Sequence, residues 1–207
     1  MKRAFNGLVL TLSISALLVA GKDEKVQPFH PQPASSYETR QTVGKVTIAA
    51  VPYESDAQTK EAFGKVNPNV YGVLPILVVI QNDGAETLQL DRMKVEYQMR
   101  NGTGLQPTPP EDVPYVIPPK KPSAVQFPSP IPRIGVRKKK NPLNEWGIEG
   151  RAFRAEMIPP GEAASGFFYF QTRHQRESTF YVNGIREAAT GKELFYFEVP
   201  LTVGPKP

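Results

Sequence analysis

The chain has no cysteine among its 207 residues, two histidines, four methionines and one tryptophan. Each scarcity removes a class of protein. Without cysteine there is no disulfide framework, so the fold has to rest on a packed core. Zinc sites draw about three or four donors from Cys, His and carboxylates, and copper sites favour Cys, Met and His. The chain is too poor in these residues for either, so no metal and no cofactor is expected. Long apolar runs are missing as well. The N-terminal uncharged stretch, Leu8–Ala20, covers 13 residues. That is about 20 Å of helix, against a hydrocarbon core of ~30 Å.

What is present around that stretch points to export. Lys2 and Arg3 precede it, Val19-Ala20-Gly21 close it, and Lys22, Asp23, Glu24 and Lys25 follow. Charged, apolar and small residues in this order make a secretory signal peptide, predicted over residues 1–21 with cleavage after Gly21. Leu18-Val19-Ala20-Gly21 looks like the approach to a bacterial lipoprotein cleavage site, but Lys22 stands where the lipid-bearing cysteine would be. The expectation is an exported protein, periplasmic or extracellular, that is not lipidated.

Proline and glycine are abundant, at 22 and 16 residues. Proline is unfavourable inside helices and central strands, so this density favours short strands and irregular connections. Residues 22–42 are polar, with Pro28, Pro31 and Pro33, and read as a flexible arm. Lys45-Val-Thr-Ile-Ala-Ala-Val51 reads as a first strand. Ser55, with Gln58 three residues on and Gly64 at the end, frames a short helix covering one end of a sheet. Val73-Leu-Pro-Ile-Leu-Val-Val-Ile80 is β-branched and apolar on both faces, the pattern of a central strand whose outer face is also covered. Leu88–Met99 alternates as a half-buried strand, and Asn101-Gly102 closes it. Residues 103–150 form a proline-rich insertion. Strands resume at Phe153–Met157, Gly166–Phe170, Thr179–Val182 and Leu194–Val203.

About seven short antiparallel strands with turns between them predict an all-β fold. The expected form is an immunoglobulin-like antiparallel β-sandwich over residues 43–204, with one short helix and the long insertion; a barrel is the alternative. Two segments carry a family likeness: Val73 to Asp83, ending in Gln-Asn-Asp, and Ile158-Pro-Pro-Gly-Glu-Ala-Ala-Ser-Gly-Phe-Phe-Tyr-Phe170. They resemble bacterial envelope and secreted proteins with an immunoglobulin-like β-sandwich, many without an assigned function. The resemblance implies that the strand ending at the Asn-rich turn pairs across the sandwich with the Pro-Gly turn and a returning aromatic strand. It implies a fold and a compartment, and no activity.

Residues able to do chemistry are sparse. His30 falls in the arm, and His174 lies between Arg173 and Arg176, which disfavour a metal cation. Ser165 lacks the Gly-x-Ser-x-Gly elbow of a nucleophile. Glu111 and Asp112 sit between prolines and read as solvated. Gly102-Thr-Gly104 has no following Lys-Ser/Thr and is a turn rather than a phosphate loop. Asn101-Gly-Thr103 is a glycosylation sequon by pattern, one that a bacterium would normally leave unused.

Charge is distributed unevenly. Without Lys2 and Arg3 the net +5 becomes +3, divided into +7 over residues 113–144 and −4 elsewhere. The positive charge comes from Lys120, Lys121, Arg133, Arg137, Lys138, Lys139 and Lys140, with no acidic residue among them. Tyr115, Phe127 and Trp146 lie alongside. Such an insertion suits an anionic partner: lipid head groups in a peripheral membrane contact, envelope polysaccharide, or an acidic protein. It is equally the composition of a loop kept soluble by charge. No nucleic acid is expected, because the chain is exported and has no recognised binding motif. The leading reading is a non-enzymatic binding or structural protein that engages an envelope component or another protein through the insertion. A protease-inhibitor-like protein that lays the extended loop across a cleft is the alternative, since rigid segments lose little entropy on binding. An enzyme with an unrecognised site stands third.

Overall fold

A computed structural model describes residues 29–116, 143 and 146–201. In chain order its strands are β1 (Arg40–Val43), β2 (Val46–Pro52), β3 (Leu74–Asn82), β4 (Leu88–Gln89), β5 (Lys94–Gln98), β6 (Gly104–Leu105), β7 (Met157–Ile158), β8 (Ala163–Phe170), β9 (Thr179–Asn183), β10 (Arg186–Glu187) and β11 (Phe197–Pro200). Helix α1 (Asp56–Phe63) lies between β2 and β3, and the single turn α2 (Trp146–Glu149) precedes β7. One four-stranded antiparallel sheet has the order β1-β2-β3-β8, and a second has the order β11-β9-β5-β6. A small sheet, β10-β4-β7, lies beside them. The fold is an all-β sandwich.

The two large sheets enclose the main core. Ile48, Leu74, Ile76, Val78, Ile80 and Phe170 of the first sheet meet Val95, Tyr97, Phe180, Val182, Phe197 and Val199 of the second. Every second residue of β5 and β9 is buried, the period-2 pattern of sheets with one wet face. β3 differs. It pairs with β2 on one side and β8 on the other, and Leu74 to Ile80 are buried on both faces. Its outer face meets a second cluster that contains Phe63, Val113, Leu143, Ile148, Phe167 and Tyr169.

Helix α1 forms as its cap dictates. The Ser55 hydroxyl accepts from the Gln58 amide at 3.2 Å, and the Gln58 side chain accepts from the Ser55 amide at 3.1 Å. The helix ends at Gly64, with φ 69°. It covers the outer face of the first sheet rather than an end of it, because Ala62 and Phe63 pack into the second cluster.

Asn82 links the two turns. It is 1% exposed. Its amide nitrogen donates to the carbonyls of Glu86, Ile158 and Pro159 at 2.8, 3.0 and 3.1 Å, and its Oδ1 accepts from Gly84 N–H at 3.0 Å. Its backbone carbonyl accepts from Gly161 N–H at 2.8 Å, and its own N–H donates to Glu162 O at 2.9 Å. One buried side chain thus ties the end of β3 to the Pro159-Pro160-Gly161 turn before β8.

The structure departs from the sequence expectation in several places. The segment 22–42 is not an arm from Phe29 onward: Ala34 is fully buried, and β1 pairs with β2. Leu88–Met99 is not one strand. The chain turns at Asp91-Arg92, closed by Met93 N–H donating to Leu90 O at 2.9 Å, and passes from the small sheet into the second large one. Leu194–Val203 breaks for the same reason. Leu194 bonds to Ile185, and the chain then crosses to β11, leaving Phe195 79% exposed. The Phe153–Met157 strand reduces to Met157–Ile158. In Leu88–Met99 and from Leu194 onward the apolar alternation continues through a change of sheet.

Candidate functional site

The insertion predicted over 103–150 is built into the fold at both ends. On its N-terminal side β6 pairs with β5, Thr108 N–H donates to Tyr169 O at 2.7 Å, and Val113 is fully buried. On its C-terminal side Leu143 and Ile148 are buried, and Ala152 bridges to Phe167. Phe167 N–H donates to Arg151 O at 2.8 Å, and Phe153 N–H donates to Phe167 O at 3.0 Å. The two stems therefore lie along the outer edge of β8 and satisfy backbone groups that would otherwise be open to another strand. This approach requires Gly166, because a Cβ there would sit 2.4 Å from the Phe153 Cα.

Both stems also root in one cluster. Val113, Leu143 and Ile148 pack with Phe63, Phe167 and Tyr169, and Val116 lies against them. The Tyr169 hydroxyl donates to Ile148 O at 2.6 Å, and burial pushes its pKa far up, so it remains a donor. The basic residues Lys120, Lys121, Arg133, Arg137, Lys138, Lys139 and Lys140 lie outside the described residues. Trp146 opens α2. The expected signal peptide lies outside the described residues too.

The same layer holds a segment that the sequence did not reveal. Phe29 sits 5.5 Å from the Phe167 ring and 6.1 Å edge-on from Tyr53, with the Arg151 guanidinium 5.2 Å over its face. Burial lowers the pKa of Arg151 and raises that of Tyr53, so the phenol stays neutral. Tyr37 packs on this cluster, and its hydroxyl accepts from Gln32 N–H at 2.9 Å. The one available signal was Phe29 itself, a large apolar residue in a polar stretch.

The remaining chemical residues are placed as follows. His30, Ser165 and the adjacent Glu111 and Asp112 are exposed. His174 is half-buried rather than a surface residue, and its Nδ1 lies 3.5 Å from both Tyr97 Oη and Ser178 Oγ. Burial pulls its pKa down, and the Glu54 carboxylate opposes this. Ser178 is not presented as a nucleophile. It is 1% exposed, and its hydroxyl donates to Gln175 O at 2.8 Å. The trio pins the β8–β9 connection, since the buried Tyr97 hydroxyl also accepts from Gln175 N–H at 2.8 Å. Among the described residues no group of three His, Cys, Asp or Glu side chains could hold a metal, and no helix is long and apolar enough to cross a membrane. An open groove runs between the β1–β2 hairpin, the β3–β4 turn and residues 192–195, lined by Val43, Lys45, Glu86, Leu88, Leu194 and Phe195.

No protein-family model and no curated protein matches the chain. Among solved structures it is similar to the candidate lipoprotein ycdA of Bacillus subtilis, with 13% identity and a TM-score of 0.39 over 79% of this chain. The chain spans only 39% of the length of that protein. It is similar to the yjhA protein of Bacillus subtilis, with 9% identity and a TM-score of 0.32, covering 70% of this chain and 75% of the other. It is also similar to MPT63, a secreted protein of Mycobacterium tuberculosis, with 14% identity and a TM-score of 0.35, covering 81% and 95%.

Proposed function

We propose that this is an exported, non-enzymatic binding protein with an immunoglobulin-like sandwich, whose basic insertion engages an anionic component of the cell envelope or an acidic protein. The observation that supports it most is the common root of the insertion. Val113 and Val116 leave, and Leu143 and Ile148 return, in the one buried cluster over the outer face of the first sheet. A segment carrying seven positive and no negative charges between residues 113 and 144 is thereby held at a rigid base. Loops on rigid scaffolds are where binding residues concentrate. His174 and Ser178 are engaged in structural bonds of the β8–β9 connection, which favours binding over catalysis. The lipoprotein-like start with Lys22 in place of cysteine supports an exported protein without a thioether-linked lipid.

Replacing Arg137, Lys138, Lys139 and Lys140 by Ser tests the reading. Retention on anionic vesicles or envelope sacculi should drop sharply, and moderate salt should reproduce the loss in the parent, because exposed charges act over a Debye length of about 8 Å. Folding stability should change by no more than about 0.5 kcal/mol. Equal retention by variant and parent at low salt would refute the proposal. The intact mass of the native protein tests export separately: the mature chain should begin at Lys22.

A further inference from the structure

We propose that Asn101 deamidates spontaneously in the folded protein, with the Gly102 amide as nucleophile, while the fold protects Asn183. These are the asparagines followed by glycine among the described residues. Such pairs are chemically labile because glycine has no side chain to crowd ring closure. Whether a folded chain permits the reaction depends on the freedom of the peptide.

Asn101 sits at the exposed tip of the hairpin between β5 and β6. Gly102 N–H donates to Met99 O at 2.9 Å, and Met99 N–H donates to Thr103 O at 2.9 Å, which makes a tight turn with Gly102 at φ 81°. Thr103 N–H donates to Asn101 Oδ1 at 3.0 Å. That contact holds the side chain over its own backbone and aims a donor at the oxygen on which negative charge develops. A Cβ built on Gly102 would meet nothing within 4 Å, so no neighbouring element packs against this glycine. One turn hydrogen bond, to Met99, has to open to free the amide nitrogen, and β6 holds the tip with only two residues.

The step balances with hydroxide and water alone. Hydroxide removes the Gly102 amide proton, and the nitrogen attacks Asn101 Cγ. A C–N bond forms, and the side-chain nitrogen leaves as ammonia. The resulting succinimide takes up water at either carbonyl, giving aspartate or isoaspartate. Each chain gains one carboxylate next to Arg100, whose Nε already lies 3.0 Å from Glu177.

Asn183 is held differently. It ends β9, the strand between β5 and β11, and pairs with Lys94. Gly184, at φ 79°, lies so close to β5 that a Cβ would stand 2.2 Å from the Arg92 carbonyl oxygen. Its peptide cannot turn toward the Asn183 side chain unless the sheet frays.

Incubating the full chain in mildly alkaline buffer, then mapping aspartate and isoaspartate by peptide mass spectrometry, tests the proposal. Conversion at Asn101 should exceed that at Asn183 by about tenfold or more in the native protein, and the two should converge in denaturant. Asn101→Gln should abolish the native-state product. Equal native rates at the two positions, or an unchanged Asn101 under conditions where the denatured chain converts, would overturn it.

Discussion

The two buried clusters of this molecule are built by different means. The core between the large sheets is made by strands, and its residues recur at alternate positions along β5, β9 and β11. The outer cover is made by α1, by the single turn α2 with Ile148, and by segments outside the strands that return from far along the chain: Ala34, Val113 and Leu143. Only the first sheet faces both. β3 is apolar on two faces because non-strand segments supply its second cover. That cover is also where the proposed binding element is rooted.

The largest expected effect falls on the core between the sheets. Phe180 is fully buried and touches Phe168 and Phe170 at ring-centroid distances of 6.0 and 6.3 Å. Phe180→Ala should cost about 3–5 kcal/mol in urea unfolding, through lost burial and an unfilled cavity. Next comes the joint between turns. Asn82→Ala strands one buried N–H and three carbonyls, for about 2–3 kcal/mol. Asn82→Asp should not rescue it, since a carboxylate would face those carbonyls without donors.

A smaller loss is expected in the outer cluster. Phe29→Ala should cost about 1–2 kcal/mol, because the ring is only part-buried. Amide exchange should accelerate in residues 29–37 while β5 and β9 stay protected. Acceleration spread evenly over both clusters would show that they unfold as one unit.

The smallest effect is one of pH. The pKa of His174 is depressed below its ordinary 6.5, first by burial, with Glu54 opposing. The unfolded chain therefore takes up the proton at higher pH than the folded one. The stability tied to the neutral ring is complete above pH 6.5 and declines as pH falls from there through the folded pKa. His174→Gln should flatten the unfolding midpoint across that window; identical slopes in parent and variant would remove His174 from the account.

Much of the fold was legible because its signals are local. Ser55, Gln58 and Gly64 specify a helix within ten residues of chain, and Val73 to Ile80 advertise a strand buried on both faces. The Asn-Asp-Gly and Pro-Pro-Gly turns were legible as turns, but the resemblance placed their strands across the sandwich, whereas β3 and β8 pair side by side in one sheet. The bonds from Asn82 to Ile158 and Pro159 belong to the folded state alone. The boundaries that failed share a cause. Leu88–Met99 and Leu194–Val203 keep their alternation while the strand leaves one sheet for another, and periodicity reports which face is apolar, not which neighbour it meets.

By itself the sequence determined the all-β composition of the elements, the helix cap, the central position of β3, the absence of cysteine chemistry and the +7 charge of the insertion. Tertiary structure alone decided that Phe29 and Tyr37 join a core, that both stems line the free edge of β8, and that Gly166 has to remain glycine. Local preferences act over a few residues and can be read along the chain. Each of these contacts joins positions far apart in sequence, and their worth exists only once β3 and β8 have paired and given them a surface to bury.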